Sequence, residues 1–425
     1  MPASIVSSEA NSVTIQITIP FGTTMLGSEN EIQQGLNLAG QLATEKALEQ
    51  FDSDGSPIER SGQRWTSKGK DAKVYQSPYG PVQVARHLYQ TSEGGSTFCP
   101  LETDARMIRT ATPRFAKQIS HKYAEMSSVR VAEDLNENHG RVVARSFIQN
   151  LADTVGTVAM AKEEDWHYQT PKVSEPVATV SLGLDGTCML LCEEGERQAM
   201  VGTLSLYNAQ GERLHTTYVA APPEYGRHLF LDRMSREVEH VLSLYPDAHR
   251  QGLADGAPEN WDFLGPYVDS QVLDFYHASG YLETVAKVLF PRRRKHRQAW
   301  LEKQAHRLKH DVGAAVALLD EFKKIDLNAL SAKKKEQMES VITYFRNHHA
   351  QMDYAQTQAE NRPIGSGVTE AACKVIVKQR LCGSGMKWKG TGAGVVLSLR
   401  TLTYTTGRWQ QFWTKINQYG FSLEG

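Results

Sequence analysis

The residues of this chain best suited to chemistry are three carboxylates. Asp185 closes the apolar stretch S-L-G-L-D-G-T, Asp255 closes a second in G-L-A-D-G-A-P-E-N-W, and Glu370 opens a helical stretch in P-I-G-S-G-V-T-E-A-A-C-K. Each Asp-Gly pair is by itself a common turn. If the two strands are neighbours in one sheet, both aspartates emerge at the same end, and a helix can bring the glutamate alongside. Close carboxylates repel unless cations bind between them, and all-oxygen ligation suits Mg²⁺ or Mn²⁺. Two such ions, roughly 3.5–4 Å apart, activate an attacking hydroxyl and stabilise the leaving oxygen of an in-line phosphoryl transfer. Asp185, Asp255 and Glu370 are therefore the candidate metal ligands and catalytic residues. Glu259 and Glu360 compete for the third place, but neither combines a helix N-terminus with trailing cations. Asp274 and His277, in D-F-Y-H, are expected to end the next strand; His277 could position a phosphate or a carboxylate, or be a buried structural histidine.

Cations follow the glutamate. Glu370, Lys374 and Lys378 recur every four residues along the edge of an apolar stripe of Cys373, Ile376, Val377 and Leu381. From Ala371 to Leu423 there is no acidic residue, while Lys374, Lys378, Arg380, Lys387, Lys389, Arg400, Arg408 and Lys415 are basic. One carboxylate leading a positive tail suits a metal held against a phosphate backbone; the plainer reading is an amphipathic surface helix with i,i+4 pairing. A second basic run, with Arg292, Arg293, Arg294, Lys295 and Arg297 at its head, reads as a phosphate-contacting helix or a solvated face, with Trp300 available to stack or pack. Arg141, Arg145 and Gln149 repeat at four-residue steps on another predicted helix. Arg and Gln can read base edges in the major groove, so a helix-turn-helix competes there with an ordinary polar face.

The elements that must position these residues show in the periodicity. Val13, Ile15, Ile17 and Ile19 alternate weakly. A helix is expected from Ser28, with Ser28 and Glu31 as a capping box, to about Phe51. Val74 to Tyr89 reads as a hairpin around Pro78-Tyr79-Gly80, and two helical segments separated by Asn138-His139-Gly140 follow between Thr112 and Val155. Strands are expected at 177–184, 199–207 and 214–220, then a helix ending before Pro246, then strands to Ala254 and at 272–276. Strands first, then strand and helix in alternation, indicate an α/β fold class. The expected segments are 1–105 (helix and hairpin), 106–170 (helix-turn-helix-like), 171–291 (α/β, first part), 292–361 (basic all-α insertion) and 362–425 (α/β, last part, with the basic tail).

At 425 residues the chain can hold two or three domains. Its 40% hydrophobic and 22% charged content is that of a globular protein, and a net charge of -1 makes local patches matter more than the sum. The sequence shows no basic-then-apolar leader and no run of eighteen apolar residues, so the expectation is an intracellular protein with no membrane partner. Five cysteines form no disulfide-like framework; Cys188 and Cys192 lack the second pair a zinc site needs.

In order and combination, the motifs at Asp185, Asp255, Asp274-x-x-His277 and Glu370, with the closing G-S-G-M-K-W, Arg400 and Trp409 to Trp413, resemble bacterial insertion-sequence transposases of the ISKra group. Asp274-x-x-His277 also resembles the Asp/Cys-x-x-His signature of Mutator-like transposases. The resemblance covers about Val177 to Trp413. It implies an RNase H-like catalytic domain with a helical insertion before the final Glu. It also implies Asp185, Asp255 and Glu370 as ligands of Mg²⁺ or Mn²⁺, with His277 and Lys374 supporting. The activity implied is cleavage at terminal inverted repeats and joining of the freed 3′-hydroxyls to target DNA. The partners implied are double-stranded DNA and a second copy of the chain, in a bacterial, cytoplasmic, nucleoid-associated setting. Relatives carry a cysteine pair near the hairpin, where this chain keeps only Cys99. Two other readings use the same residues: a non-catalytic DNA-binding protein derived from a transposase, and a two-metal nuclease without strand transfer.

Overall fold

The computed structural model, which describes residues 3–421, sorts these patterns into two units: the described parts of Met1–Tyr168, Gly394–Thr403 and Arg408–Gly425 form one, and Gln169–Ala393 with Tyr404–Gly407 form the other. In the first, β1 (Ala3–Glu9) and β2 (Ser12–Ile17) make an antiparallel hairpin from the weakly alternating N-terminal stretch. Helix α1 (Met25–Glu49) starts a turn before its expected cap. Thr24 accepts from the Gly27 amide at 3.1 Å, while Ser28 lies inside the helix and donates its hydroxyl to the Thr24 carbonyl. Thr24 is the cap because its backbone is extended where that of Ser28 is helical.

Strands β3 (Ile58–Arg60), β4 (Gln63–Gln76), β5 (Pro81–Thr91) and β6 (Gly94–Phe98) form an antiparallel sheet in that order. Its main hairpin turns at Pro78-Tyr79-Gly80 as expected, closed by the Ser77 hydroxyl donating to the Gly80 carbonyl at 2.7 Å. Tyr75, Val82 and Val84 bury one face with Leu48, Cys99 and Leu101. After α2 (Pro100–Asp104) come three helices where two were expected: α3 (Pro113–Glu125), α4 (Ser128–His139) and α5 (Arg145–Lys162). Ser127 caps a break that the apolar period runs straight through, and Gly140, left-handed at φ 60, ends α4.

The second unit is built on a five-stranded mixed sheet flanked by helices. Strands β7 (Thr179–Leu191), β8 (Gly195–Tyr207) and β9 (Arg213–Ala221) pair antiparallel. After α6 (His228–Leu244), β10 (His249–Ala254) adds parallel to β7; after α7 (Pro258–Leu264), β11 (Ser270–Leu273) adds parallel to β10. The order across the sheet is β11-β10-β7-β8-β9. Phe230, Met234, Val238 and Val241 of α6 are buried against it, each worth roughly 1.5–3 kcal/mol of transfer free energy.

Helix α8 (Phe275–Leu289) then leads into α9 (Arg294–His310), α10 (Ala314–Lys323), α11 (Ala332–His348) and α12 (Tyr354–Ala359). Leu308, Leu318, Phe322, Val341 and Phe345 of these helices join the same apolar cluster as the sheet. The chain re-enters the sheet region through a continuous helical run: α13 (Gly367–Ala372), a π-helical stretch over Cys373–Lys378, and α14 (Gln379–Leu381).

The last helices, α15 (Gly390–Tyr404) from Gly394 onward and α16 (Arg408–Tyr419), belong to the first unit rather than to the catalytic half expected for 362–425. The buried Arg400 donates to the Ala124 carbonyl at 2.5 Å, Ser398 donates to Glu163 at 3.0 Å, and the Phe412 ring packs on Trp166. A Cβ on Gly156 would run into the Val395 side chain at 2.4 Å, so α5 takes a helix there at close range.

Candidate active site

Parallel pairing of β7 with β10 ends where Gly183 stands opposite Leu253. Asp185 and Asp255 each come two residues further along the chain, so the register carries both to the end of the parallel β7–β10 pairing. The expected turn after Asp185 is absent. β7 continues to Leu191 as one arm of a long hairpin, with Asp185 opposite Val201 and Gly186 opposite Met200. Cross-strand pairing overrides the Asp-Gly turn preference there. After Asp255 the expectation holds: β10 has ended, and Gly256 turns the chain at φ 102, a left-handed conformation that suits glycine.

The third carboxylate arrives by close packing. A Cβ on Gly183 would lie 2.2 Å from Thr369 Oγ1, so only the missing side chain lets α13 settle on β7, and the buried Thr369 and Thr203 hydroxyls then bond at 2.7 Å. Glu370 is the next residue, exposed in the first turn of α13, and accepts the Ser366 hydroxyl at 3.3 Å. Burial pushes the Asp185 carboxyl above the ordinary range. Hydrogen bonds from the Gly186 amide and the Cys373 thiol oppose that shift, and the charges of Asp255 and Glu370 add to it.

Asp274 is not the end of a strand but the fully buried N-cap of α8. It accepts the His277 amide at 2.7 Å on one oxygen and the Ser366 amide on the other. It thereby clamps the start of α8 to the loop before α13, helped by Phe275 N to Ile364 O at 2.9 Å and by the Gln251 amide on the Pro363 carbonyl at 2.7 Å. His277 therefore sits in the first turn of α8, exposed, and lines one open depression with Tyr276, Gly280, Tyr281, Thr284 and Glu370. The helical insertion also reaches the site: Tyr344 of α11 stacks on Tyr281 at 3.7 Å and donates its hydroxyl to the Asp255 carbonyl at 3.1 Å.

Of the competing acids, Glu360 is ion-paired with Arg362, and Glu259 faces a different depression with Glu224 and Arg227. Glu370 is the third acid whose charge bears on Asp185. Among the described residues, no three His, Cys, Asp or Glu side chains stand close enough, as placed, to hold a metal ion. In chemical type the three carboxylates fit a hard divalent cation: they are all-oxygen donors, and their mutual repulsion is what a cation relieves.

The predicted DNA-contacting residues divide. Arg292, Arg293, Arg294 and Lys295 are exposed and Arg297 half-buried at the head of α9, whose Trp300 is half-buried against the core. Lys374, Lys378, Lys387 and Lys389 are exposed. The π-helical stretch widens the turn past four residues, so Glu370, Lys374 and Lys378 do not follow the straight i,i+4 edge expected of them. Arg380 is buried, its guanidinium 5.2 Å from the Trp388 ring centre, so it packs that corner instead of meeting phosphate.

Arg141, Arg145 and Gln149 do not share a helix face. Arg141 precedes α5 and is buried, donating to the Ser77 carbonyl and the Gln76 side chain over the Phe115 ring. Arg145 is exposed and donates to Ser128, and the Gln149 amide donates to Tyr123 and Asp153. Ile148, Leu151, Ala152, Val155, Val158 and Ala159 bury one face of α5, and of the three expected base-reading residues Arg145 alone is exposed on the helix. The five cysteines are free, with Cys99 and Cys373 buried.

Sequence reasoning missed Gly183, Thr203, Thr369 and Tyr344. A glycine within an apolar strand signals close approach of another backbone, and Gly183 carried that signal; nothing in the sequence marked Tyr344. No protein-family model matches the chain, and no curated protein sequence matches it. No helix among the described residues is long and apolar enough to cross a membrane.

Proposed function

We propose that the chain is a DNA transposase acting through Asp185, Asp255 and Glu370 on an RNase H-like domain. The observation that carries this reading is the parallel β7–β10 register, which carries two aspartates to the end of that pairing while α13 docks over Gly183 with Glu370 in its first turn. A mixed sheet flanked by helices, with an all-helical stretch preceding the last acid, supports the RNase H-like assignment. Mg²⁺ or Mn²⁺ on these carboxylates would supply the activated hydroxyl and stabilise the leaving oxygen. The chain's own residues do the positioning: Tyr344 holds the Asp255 backbone, Cys373 and Gly186 orient the Asp185 carboxylate, and Asp274 anchors the loop that leads to Glu370. His277, exposed beside Glu370, would meet phosphate oxygens, with Lys374 in support. The basic head of α9 supplies sequence-independent affinity for the duplex. Two element ends must be handled together, so the working form is at least a dimer on DNA, in the bacterial cytoplasm.

The test is a cleavage and joining assay on labelled duplex carrying the element's end, with Mg²⁺ or Mn²⁺, comparing wild type with Asp185→Ala, Asp255→Ala and Glu370→Gln. Nicked and joined products from wild type, with none from variants that still bind, uphold the reading. Cleavage without joining points to a nuclease, and tight binding without cleavage to a DNA-binding derivative. Activity retained by Glu370→Gln would remove Glu370 from the set.

A further inference from the structure

Tyr276 is an aromatic residue 69% exposed beside the proposed site, and its ring is held in place. A Cβ on Gly365 would lie 2.9 Å from the ring, so the glycine leaves the space that the Tyr276 ring occupies against the loop leading to Glu370. Phe275 meets the ring edge-on at 5.7 Å between centroids. The remainder of the ring lines the depression it shares with His277, Gly280, Tyr281, Thr284 and Glu370. Gly280 leaves room there, since a Cβ built on it meets nothing within 4 Å. Fixing the ring's orientation lowers the entropy lost when a flat partner stacks on it. The Glu370 carboxylate disfavours an anionic occupant at that spot, whereas the face of a nucleobase is neutral.

From these observations we infer that Tyr276 is a positioning residue, the platform on which an unpaired base of the DNA strand stacks next to the reacting phosphate. This inference rests on reading the chain as an enzyme that acts on DNA. It adds that the strand at the site is engaged unpaired, because a base inside a duplex has no free face to offer. Tyr276 makes the base contact, His277 faces the neighbouring phosphate beside Glu370, and Asp185 and Asp255 lie one step further along the strand.

The experiment uses the full chain and a short single-stranded DNA oligonucleotide carrying one 2-aminopurine, titrated in Ca²⁺, with wild type, Tyr276→Phe, Tyr276→Leu and Tyr276→Ala. Stacking quenches 2-aminopurine fluorescence. Wild type and Tyr276→Phe are expected to quench it with similar affinity. Tyr276→Leu still covers Gly365 but has no π-face, and it is expected to lose the quench and roughly 5- to 150-fold in affinity, the range of one stacked base. Equal melting temperatures of wild type and Tyr276→Leu exclude a folding defect as the cause. Quenching and affinity unchanged in Tyr276→Leu and Tyr276→Ala would overturn the inference, as would a wild type that binds the oligonucleotide without quenching. The two readings fail separately: a wild type that never cuts DNA yet shows Tyr276-dependent quenching loses the transposase reading alone, whereas one that cuts and joins, with Tyr276→Leu matching it in rate and quench, loses the platform alone.

Discussion

Gly183→Ala tests how Glu370 is placed. The strand backbone at 183 accepts alanine without strain, and the substitution lowers the entropy of the unfolded chain, a gain of about 0.4–1 kcal/mol. Against that, the new methyl would stand 2.2 Å from Thr369 Oγ1 and 3.0 Å from Thr203 Oγ1, both on buried side chains. Either α13 lifts, which for one added methyl in a packed site costs about 1–3 kcal/mol, or Thr369 rotates, abandons its 2.7 Å bond to Thr203 and leaves a buried hydroxyl unsatisfied at about 1–3 kcal/mol. The net is a destabilisation on the order of 1–2 kcal/mol, which for a unit of this size lowers the melting temperature by about 2–8 °C. The effect on rate is larger if α13 lifts, because a displacement of about 1 Å at a reacting group can cost about a hundredfold. The assay pairs thermal melting with metal-dependent cleavage for Gly183→Ala, Thr369→Ala and the double variant. Thr369→Ala removes the obstructing hydroxyl, so the double variant is expected to lose less than the sum of the singles. A Gly183→Ala protein that melts and cuts like wild type would refute the claim that this close approach sets the carboxylate.

Asp274→Ala removes a fully buried acceptor of two backbone amides; a loss of about 2–5 kcal/mol in stability by denaturant unfolding is expected, with activity lost even where the fold persists. Asp185→Asn works in the opposite sense. The folded carboxyl titrates above its unfolded value, so wild type without metal loses stability as pH rises from the ordinary carboxylate range through the raised folded value. At neutral pH without metal, Asp185→Asn is therefore expected to melt higher than wild type, and Mn²⁺ is expected to raise the melting temperature of wild type only. Replacing Arg292, Arg293, Arg294 and Lys295 by alanine should flatten the salt dependence of duplex binding, the slope falling by up to about 0.9 for each phosphate that these side chains neutralise. Arg141→Ala should leave that slope alone and instead destabilise the first unit by about 2–4 kcal/mol, measured by urea unfolding.

Asp185 and Asp255 stood out in the sequence because an acid beside glycine at the edge of an apolar run is a local pattern, and Glu370 because it opens the helical stretch that follows the Pro363, Gly365 and Gly367 break. Their convergence was not local: it depends on β10 pairing parallel to β7 and on the gap at Gly183. The N-terminal helix and the hairpin at Pro78-Tyr79-Gly80 were legible for the same reason as the motifs. The break at Ser127 was not, since Phe115, Ile119, Tyr123, Val131 and Leu135 keep an apolar rhythm across it. Arg141 and Arg380 misled because sequence spacing reveals charge but not depth, and arginine can be buried where carbonyls or an aromatic ring receive it. Asp274 read as a strand end because β11 and α8 abut with no loop between them, and the residue capping the helix is the one that follows the strand.

The closing helices give the molecule an order of assembly. Arg400 meets Ala124 across 276 residues of chain, and all of the second unit but Tyr404–Gly407 is encoded between the opening segment of the first unit and its return at Gly394. A ribosome delivers the amino-terminal part first. The faces of α3 and α5 that will receive Arg400 and Val395 must then wait, uncovered, while the sheet and all three carboxylates are made. The unit begun first is finished last. A chain stopped anywhere between Leu381 and Gly394 would carry Asp185, Asp255 and Glu370 in full, yet leave the helical surface of its opening segment bare to solvent and to other nascent chains.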